Sequence, residues 1–305
     1  MKKIAFIING TIRRKNKVKK NLSNIFKSNF ELEFLETQKR DHAVELTKMA
    51  IENSCNILIA VGGDGTMNEV VNGYMNVRKE KRNEVIVGLL PMGTGNDFAR
   101  SVGMKKSYKQ LENLINQNQY KPIDIGQISY YSVEGELRNR YFNNIADIGI
   151  GAQTVALVNS SKKIFGGSIT FMKSVIQSFL TYKNLRVSLH NNDFNWEGQV
   201  VSLCMANGRY FGGGLCIAPQ ANVDDGMFQL VIIGDVGVFD FLKYLPKLRK
   251  GEIINNPKIF YKKIKTCKFD ALDKESPIDM DGEFIGYPPM DMKILPQELK
   301  FLREF

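Results

Sequence analysis

The sequence predicts an α/β domain joined to an all-β domain, on three observations. Through about the first 125 residues, apolar strand-like runs alternate with helical patterns, which implies a parallel sheet covered on both faces. Two of those runs end in glycine-rich turns of the same construction. After Asp124-Ile125-Gly126 the pattern changes to short strand-like runs separated by Gly, Asn and Asp, as in an antiparallel β domain.

In chain order, Ile4 to Ile8 reads as a strand ending at Asn9-Gly10, and Val18, Leu22, Ile25 and Phe26 mark one face of a helix. Leu32 to Leu35 is a short strand ending at Thr37. Val44, Thr47, Ala50 and Ile51 give a second helix, with Asp41 placed as its N-cap. Asn56 to Val61 is an apolar run that enters Gly62-Gly63-Asp64-Gly65-Thr66, and Met67, Val70, Val71 and Tyr74 follow at helical spacing. Val85 to Leu90 is another such run, ending at Pro91-Met92-Gly93-Thr94-Gly95-Asn96-Asp97-Phe98-Ala99-Arg100. Tyr108, Leu111, Leu114 and Ile115 make a helix before Pro122. Beyond the change of pattern, strands are expected over Arg140–Ile145, Leu185–His190, Gln199–Met205, Phe228–Ile233, Ile264–Phe269 and Met290–Ile294. Helices are expected near 168–182 and 236–249. The domain boundary is expected at 126/127.

The two glycine-rich turns carry the chemistry. Glycine lets the backbone turn tightly and approach a ligand with no Cβ in the way. Each turn opens into a helix, whose N-terminal N–H groups favour an anion such as phosphate. A tight turn with a helix cap would explain either turn alone. The pair, about 30 residues apart, has the spacing of successive βαβ units. Their strand ends would then share one sheet edge, where open α/β sheets bind ligands.

Composition narrows the classes further. Lys and Arg number 42 against 32 Asp and Glu, a formal charge of +10, and residues 1–20 hold eight basic residues and no acid. Solvated surface is the plain explanation; an anionic membrane surface is the sharper one, since basic clusters are drawn to anionic leaflets. No nucleic-acid motif is visible. Cys55, Cys204, Cys216 and Cys267 are scattered, which speaks against a zinc site or a disulfide framework and suits a reducing cytoplasm. No window approaches the roughly 18 apolar residues of a spanning helix.

Gly62 to Thr66 with Asn68 and Glu69, then Pro91 to Arg100, resemble the catalytic domain of the diacylglycerol kinase family, which includes sphingosine and ceramide kinases. The Gly62–Thr66 motif is shared with NAD kinases and, more loosely, phosphofructokinases; the Pro91–Arg100 motif is similar to the lipid-kinase branch. The resemblance continues through Asn207 to Gly214, Asp224-Asp225-Gly226-Met227-Phe228 and Asp281-Gly282-Glu283. It implies a nucleotide domain of the NAD-kinase and phosphofructokinase kind over 1–126, a β-sandwich lipid domain over 127–290, a cleft between them, and a segment 291–305 that returns to the first domain.

What the resemblance implies for chemistry is ATP-dependent transfer of a phosphoryl group to the hydroxyl of diacylglycerol. This needs held phosphates, Mg²⁺ and a group to deprotonate the acceptor. Asn9, Gly10, Thr37, Gly62, Gly63, Asp64, Gly65, Thr66, Asn68, Glu69 and Thr94 would contact ATP. The first loop departs from the family's usual Asn-Pro start, reading Asn9-Gly10-Thr11. The family's proton acceptor corresponds to Asp281, and Glu283 would also meet ATP; Asp64 and Asp97 join them in the catalytic set. On the residues alone, Asp281-Gly282 is equally an ordinary hairpin turn; as a base, Asp281 is expected to point outward. In the bacterial branch a structural Mg²⁺ is held by an aspartate and two backbone carbonyls, here Asp225 with Asn222 and Met227. Asp97 and Asp124 are expected to link that ion to the nucleotide through water. His42 and His190 lie beside no motif. An apolar stripe of Ile169, Met172, Val175, Ile176, Phe179 and Leu180, after Phe165-Gly166-Gly167, reads as core or as the wall of an acyl groove. Val238, Phe239, Phe241, Leu242 and Leu245, beside Lys243, Lys247, Arg249 and Lys250, read as core or as an interfacial face. The reading is a cytoplasmic enzyme visiting the inner face of the membrane, with β-edges that permit a homodimer. Its rivals are a kinase for another lipid or for NAD, and a non-catalytic lipid- or nucleotide-binding regulator.

Overall fold

A computed structural model describes residues 1–160, 167–191, 194–272 and 276–304, with backbone alone at 156, 158–160 and 167–172. The chain forms two compact units: Met1–Asp124 with Gln297–Phe305, and Ile125–Pro296.

The first unit opens with β1 (Lys2–Ile8), α1 (Lys15–Phe26), β2 (Phe30–Glu36), α2 (His42–Glu52), β3 (Ile57–Gly62) and α3 (Asp64–Met75). It continues with α4 (Lys79–Arg82), β4 (Ile86–Pro91), α5 (Asp97–Ser101) and α6 (Tyr108–Asn116), and β5 (Tyr120–Tyr131) leads out of it. The second unit adds β6 (Leu137–Phe142), β7 (Ile145–Gly149), α7 (Ile150–Ser160), α8 (Gly167–Thr181), β8 (Leu185–Asn191), β9 (Phe194–Val200) and β10 (Ser202–Ala206). It is completed by β11 (Tyr210–Phe211), β12 (Leu215–Cys216), β13 (Phe228–Ile233), α9 (Val238–Lys250), β14 (Ile259–Ile264), β15 (Thr266–Ala271), β16 (Ile278–Met280) and the first part of β17 (Glu283–Leu302).

Strands β2, β1, β3 and β4 lie side by side and parallel, and the end of β17 joins β4 in parallel, with Phe301 opposite Val87. Ile4 to Ile8 are fully buried, as a parallel strand covered on both faces requires. The chain order 2-1-3-4 reverses between β1 and β3, so those two strand ends flank the switch point at which such sheets bind ligands. The returning segment is fastened by several contacts. The Gln297 N–H donates to Asp124 Oδ1 at 2.8 Å, Glu298 accepts from Lys79 and Arg82, and the ring of Phe301 meets Phe98 edge-on at 5.5 Å.

The second unit is β-sandwich-like. One sheet runs β14-β13-β10-β7-β16-β17; β17 bends on to pair with β15, which continues through β8 to β9, while β5 and β6 lie beside it. Alternation along each strand separates two cores. Leu203 and Met205 of β10 face a core in which Phe142 of β6 stacks on Phe228 of β13 with centroids 5.5 Å apart. Cys204 and Ala206 point the opposite way, toward Leu248 of α9.

Three expected strands are broken in the structure. Arg140–Ile145 is divided at Asn143-Asn144 between β6 and β7, Gln199–Met205 at Val201, and Ile264–Phe269 at Lys265. Asp41 stands at the N-cap position of α2 but has φ 62° and makes no capping bond. An N–H of that helix end, that of Ala43, goes instead to Glu69 Oε2 at 2.9 Å.

Candidate functional site

In the first unit the two glycine turns meet. β3 and β4 run in register to their ends, with Gly62 opposite Pro91, and the Met92 N–H donates to the Gly62 carbonyl at 2.7 Å. A Cβ on Gly93 would stand 2.4 Å from Gly63 Cα, so the second turn has no room for a side chain against the first, and a Cβ on Gly63 would be tight at 3.1 Å from Gly93 Cα. No side chain caps α3 at Gly63, which leaves the N-terminal N–H groups of a buried helix facing the turn. This arrangement fits a phosphate chain.

The surrounding candidates have defined places. Asn9 Nδ2 at the end of β1 donates to Thr66 Oγ1 at 2.9 Å, bridging the switch point. The Gly10 N–H donates to Thr37 Oγ1 at 3.0 Å, which ties the ends of β1 and β2. Asp64 Oδ1 accepts from the Phe98 N–H at 3.0 Å, so its carboxylate holds the start of α5 against the first turn, and Gly95 lies against its other oxygen. Thr94 is exposed on the second turn. Asp97 is buried, with Oδ1 on Arg100 Nη1 at 3.2 Å. Asn68 is buried, and its Oδ1 accepts from Asn72; Glu69 Oε2 accepts from the Ala43 N–H at the start of α2.

In the second unit Asp281 corrects the expectation. Asp281 and Gly282 have φ of 51° and 87° and close a two-residue hairpin between Met280 and Glu283. The Asp281 carboxylate points inward, not outward. It accepts from the N–H groups of Asn143 at 3.1 Å, Asn144 at 3.2 Å and Ile145 at 2.8 Å, while the Asp281 N–H donates to the Ile145 carbonyl. The break between β6 and β7 supplies those donors. Glu283 lies 3.6 Å from Arg140 in an ion pair.

The turn assigned to Mg²⁺ is also engaged. Asp225 Oδ1 accepts from the Met227 N–H at 3.1 Å, and Oδ2 is in a close ion pair with Lys263. An ion bound at this turn would compete with that ammonium for the Asp225 carboxylate. Asp124 Oδ1 accepts from the Gln297 N–H at 2.8 Å. Phe165, Gly166 and the side chains of Ile169 and Met172 lie outside the described residues; Val175 is buried, and Leu180 is exposed.

One acidic pair escapes a reading by motifs. Asp147 of β7 stands opposite Asp279 of β16, both buried, and their carboxyl groups are within hydrogen-bonding reach of each other. In the sequence Asp147 is a lone carboxylate inside an apolar run, whereas Asp279 stands two residues before Asp281 and has no such mark.

Residues 3–128 match the diacylglycerol kinase catalytic domain, and residues 144–303 match the YegS C-terminal NAD kinase beta sandwich-like domain. A diacylglycerol kinase of Staphylococcus carnosus (strain TM300) is 27% identical over 304 residues, covering 98% of this chain and 95% of the relative. A crystal structure of a diacylglycerol kinase from Bacillus anthracis str. Sterne superposes with a TM-score of 0.72 at 20% identity, covering 99% of this chain and 97% of that one. Yeast NADH kinase complexed with NADH shares the fold with a TM-score of 0.52 at 8% identity, over 98% of this chain and 82% of that one.

Proposed function

Because the chain belongs to the family that joins a diacylglycerol kinase catalytic domain to a YegS-type β-sandwich, and is therefore a diacylglycerol kinase-like lipid kinase, we propose that it transfers the γ-phosphoryl group of ATP to the hydroxyl of diacylglycerol, giving phosphatidic acid and ADP. The observation that carries this is the pair of glycine turns packed backbone to backbone at the ends of β3 and β4.

In this reading Gly62 to Thr66 and the start of α3 receive the phosphates of ATP, delivered as its Mg²⁺ complex. The bridge from Asn9 to Thr66 and the tie from Gly10 to Thr37 keep the loops around the nucleotide in place, and Thr94 adds a hydroxyl from the second turn. Asp64 aligns that turn through Phe98. Asp281 acts as the base: the acceptor hydroxyl gives its proton to the carboxylate as its oxygen bonds to the γ-phosphorus and the bond to ADP breaks. Three backbone N–H groups fix the orientation of that carboxylate, and Glu283 contacts the nucleotide from the next strand. The enzyme works peripherally on the inner face of a cytoplasmic membrane. No helix among the described residues is long and apolar enough to cross a membrane.

The test is transfer of label from ATP to a panel of lipids in mixed micelles, with NAD as a further acceptor. Label in phosphatidic acid, lost in Asp281→Asn, supports the reading. Label on another lipid or on NAD, or no transfer with ATP still bound, rejects it.

A further inference from the structure

The inner face of α9 is fully accounted for. Phe241, Tyr244, Leu245 and Leu248 pack on the core around Cys204 and Val231, and the ring of Phe241 lies 5.3 Å from that of Phe179 on α8. That stripe recurs every three or four residues, as a helix seated on a sheet requires.

The outer face has a different composition from an ordinary solvated one. Phe239 is 84% exposed and Leu242 44% exposed, and Pro246 follows in the next turn, also exposed. At spacings of three and four these side chains share one face. Lys243, Lys247, Arg249 and Lys250 are exposed around them. The helix has a single acid, Asp240, and its Oδ2 accepts from the Gly237 N–H at 3.2 Å, at the far end from most of the cations. Just past the closing Gly251, Ile253 is half exposed.

We propose that this face of α9 is where the protein docks on an anionic lipid bilayer. The proposal rests on the lipid-kinase reading and adds the surface through which it is exercised. A helix that offers an aromatic ring and aliphatic groups inside a rim of cations matches the boundary between headgroups and acyl chains. Cations near an anionic leaflet are attracted to it, and an inserted ring leaves water. Charge also argues for a bilayer over a second copy. A two-fold contact through this face would set its cations against the same cations.

The experiment is co-sedimentation of the whole protein with phosphatidylcholine vesicles, with and without phosphatidylglycerol. The variants are Phe239→Ser with Leu242→Ser, and Lys243→Gln with Lys247→Gln and Lys250→Gln. The first pair should weaken vesicle binding about tenfold or more. The charge variant should weaken it about a hundredfold, on phosphatidylglycerol vesicles alone. All these side chains are exposed, so melting temperatures should match the parent, as should turnover of a water-soluble short-chain diacylglycerol. Unchanged vesicle binding by both variants overturns the proposal. So does light scattering that finds a dimer which both variants dissolve. If the parent phosphorylates no diacylglycerol in any form yet binds vesicles through these residues, the proposed reaction fails and the docking face stands.

Discussion

Asp147 and Asp279 face each other in register across β7 and β16, two carboxyl groups within hydrogen-bonding reach where neither meets water. Asp147 Oδ2 and Asp279 Oδ1 take no N–H or O–H donor among the described residues, and one proton shared between the groups satisfies both. Burial pushes Asp147 up to about 7, helped down only in part by hydrogen bonds to Asp279 and Ser202; Asp279 is pushed well above the ordinary range by burial and by the charges of Asp147, Asp281 and Glu283.

The sign of the pH dependence follows. Between the ordinary carboxylate range and about pH 7 the folded pair holds protons that the unfolded chain has lost, so its contribution to stability is present at low pH and fades as pH rises through that window. Asp147→Asn removes the Asp147 share of this titration, while burial still holds Asp279 up. Urea unfolding at pH 5 and pH 8 should show the variant gaining about 1–3 kcal/mol relative to the parent across that interval. An identical pH dependence in both proteins would show that no proton is shared.

Gly93→Ala tests the phosphate cradle. The new Cβ would lie 2.4 Å from Gly63 Cα, backbone against backbone, so the two turns must part. A stability loss of about 1–3 kcal/mol is expected from the overpacking, together with a rise of about tenfold in the dissociation constant for ATP, read by calorimetry. Normal ATP affinity would mean that the nucleotide does not use this edge.

Asp281 has a structural task besides the proposed chemical one, and two substitutions separate them. Asp281→Ala strands the buried N–H groups of Asn143, Asn144 and Ile145 and should cost about 2–4 kcal/mol. Asp281→Asn keeps an oxygen for Asn144 and Ile145, so it should lose about 1 kcal/mol while turnover falls about a hundredfold or more. Turnover that tracks stability in both variants would leave Asp281 as a turn residue only.

Lys263→Met removes the ammonium from Asp225. With the competitor gone, the Asn222–Met227 turn should take Mg²⁺ about tenfold more tightly, seen as a larger rise of melting temperature with added Mg²⁺ than in the parent. Equal shifts would mean that the carboxylate is not an ion ligand.

The parallel sheet and its glycine turns were legible because their signals are local: an apolar run, a conformational demand that glycine meets, and a helix period after it. What long-range contacts decide was not. The outward aim expected of Asp281 failed because three N–H donors are supplied by a break more than a hundred residues earlier, and nothing in Asp281-Gly282-Glu283 announces them. The expected runs broken at Val201 and Lys265 are apolar or evenly patterned across the break, so alternation alone carries no mark of it. Glu69 has the position of a nucleotide-motif residue, but its carboxylate caps a helix that precedes it by 26 residues.

The segment that fastens Gln297 to Asp124 and sets Phe301 on Phe98 also sets an order of birth. Every residue of the second unit leaves the ribosome before the strand that closes the first unit's sheet. During synthesis, the unit bearing the glycine turns therefore waits as an incomplete sheet with an open edge beside β4, while the β-sandwich-like unit can already be assembled. A nascent chain stalled before Gln297 would leave β4 unpaired on that side and Phe98 without the ring of Phe301.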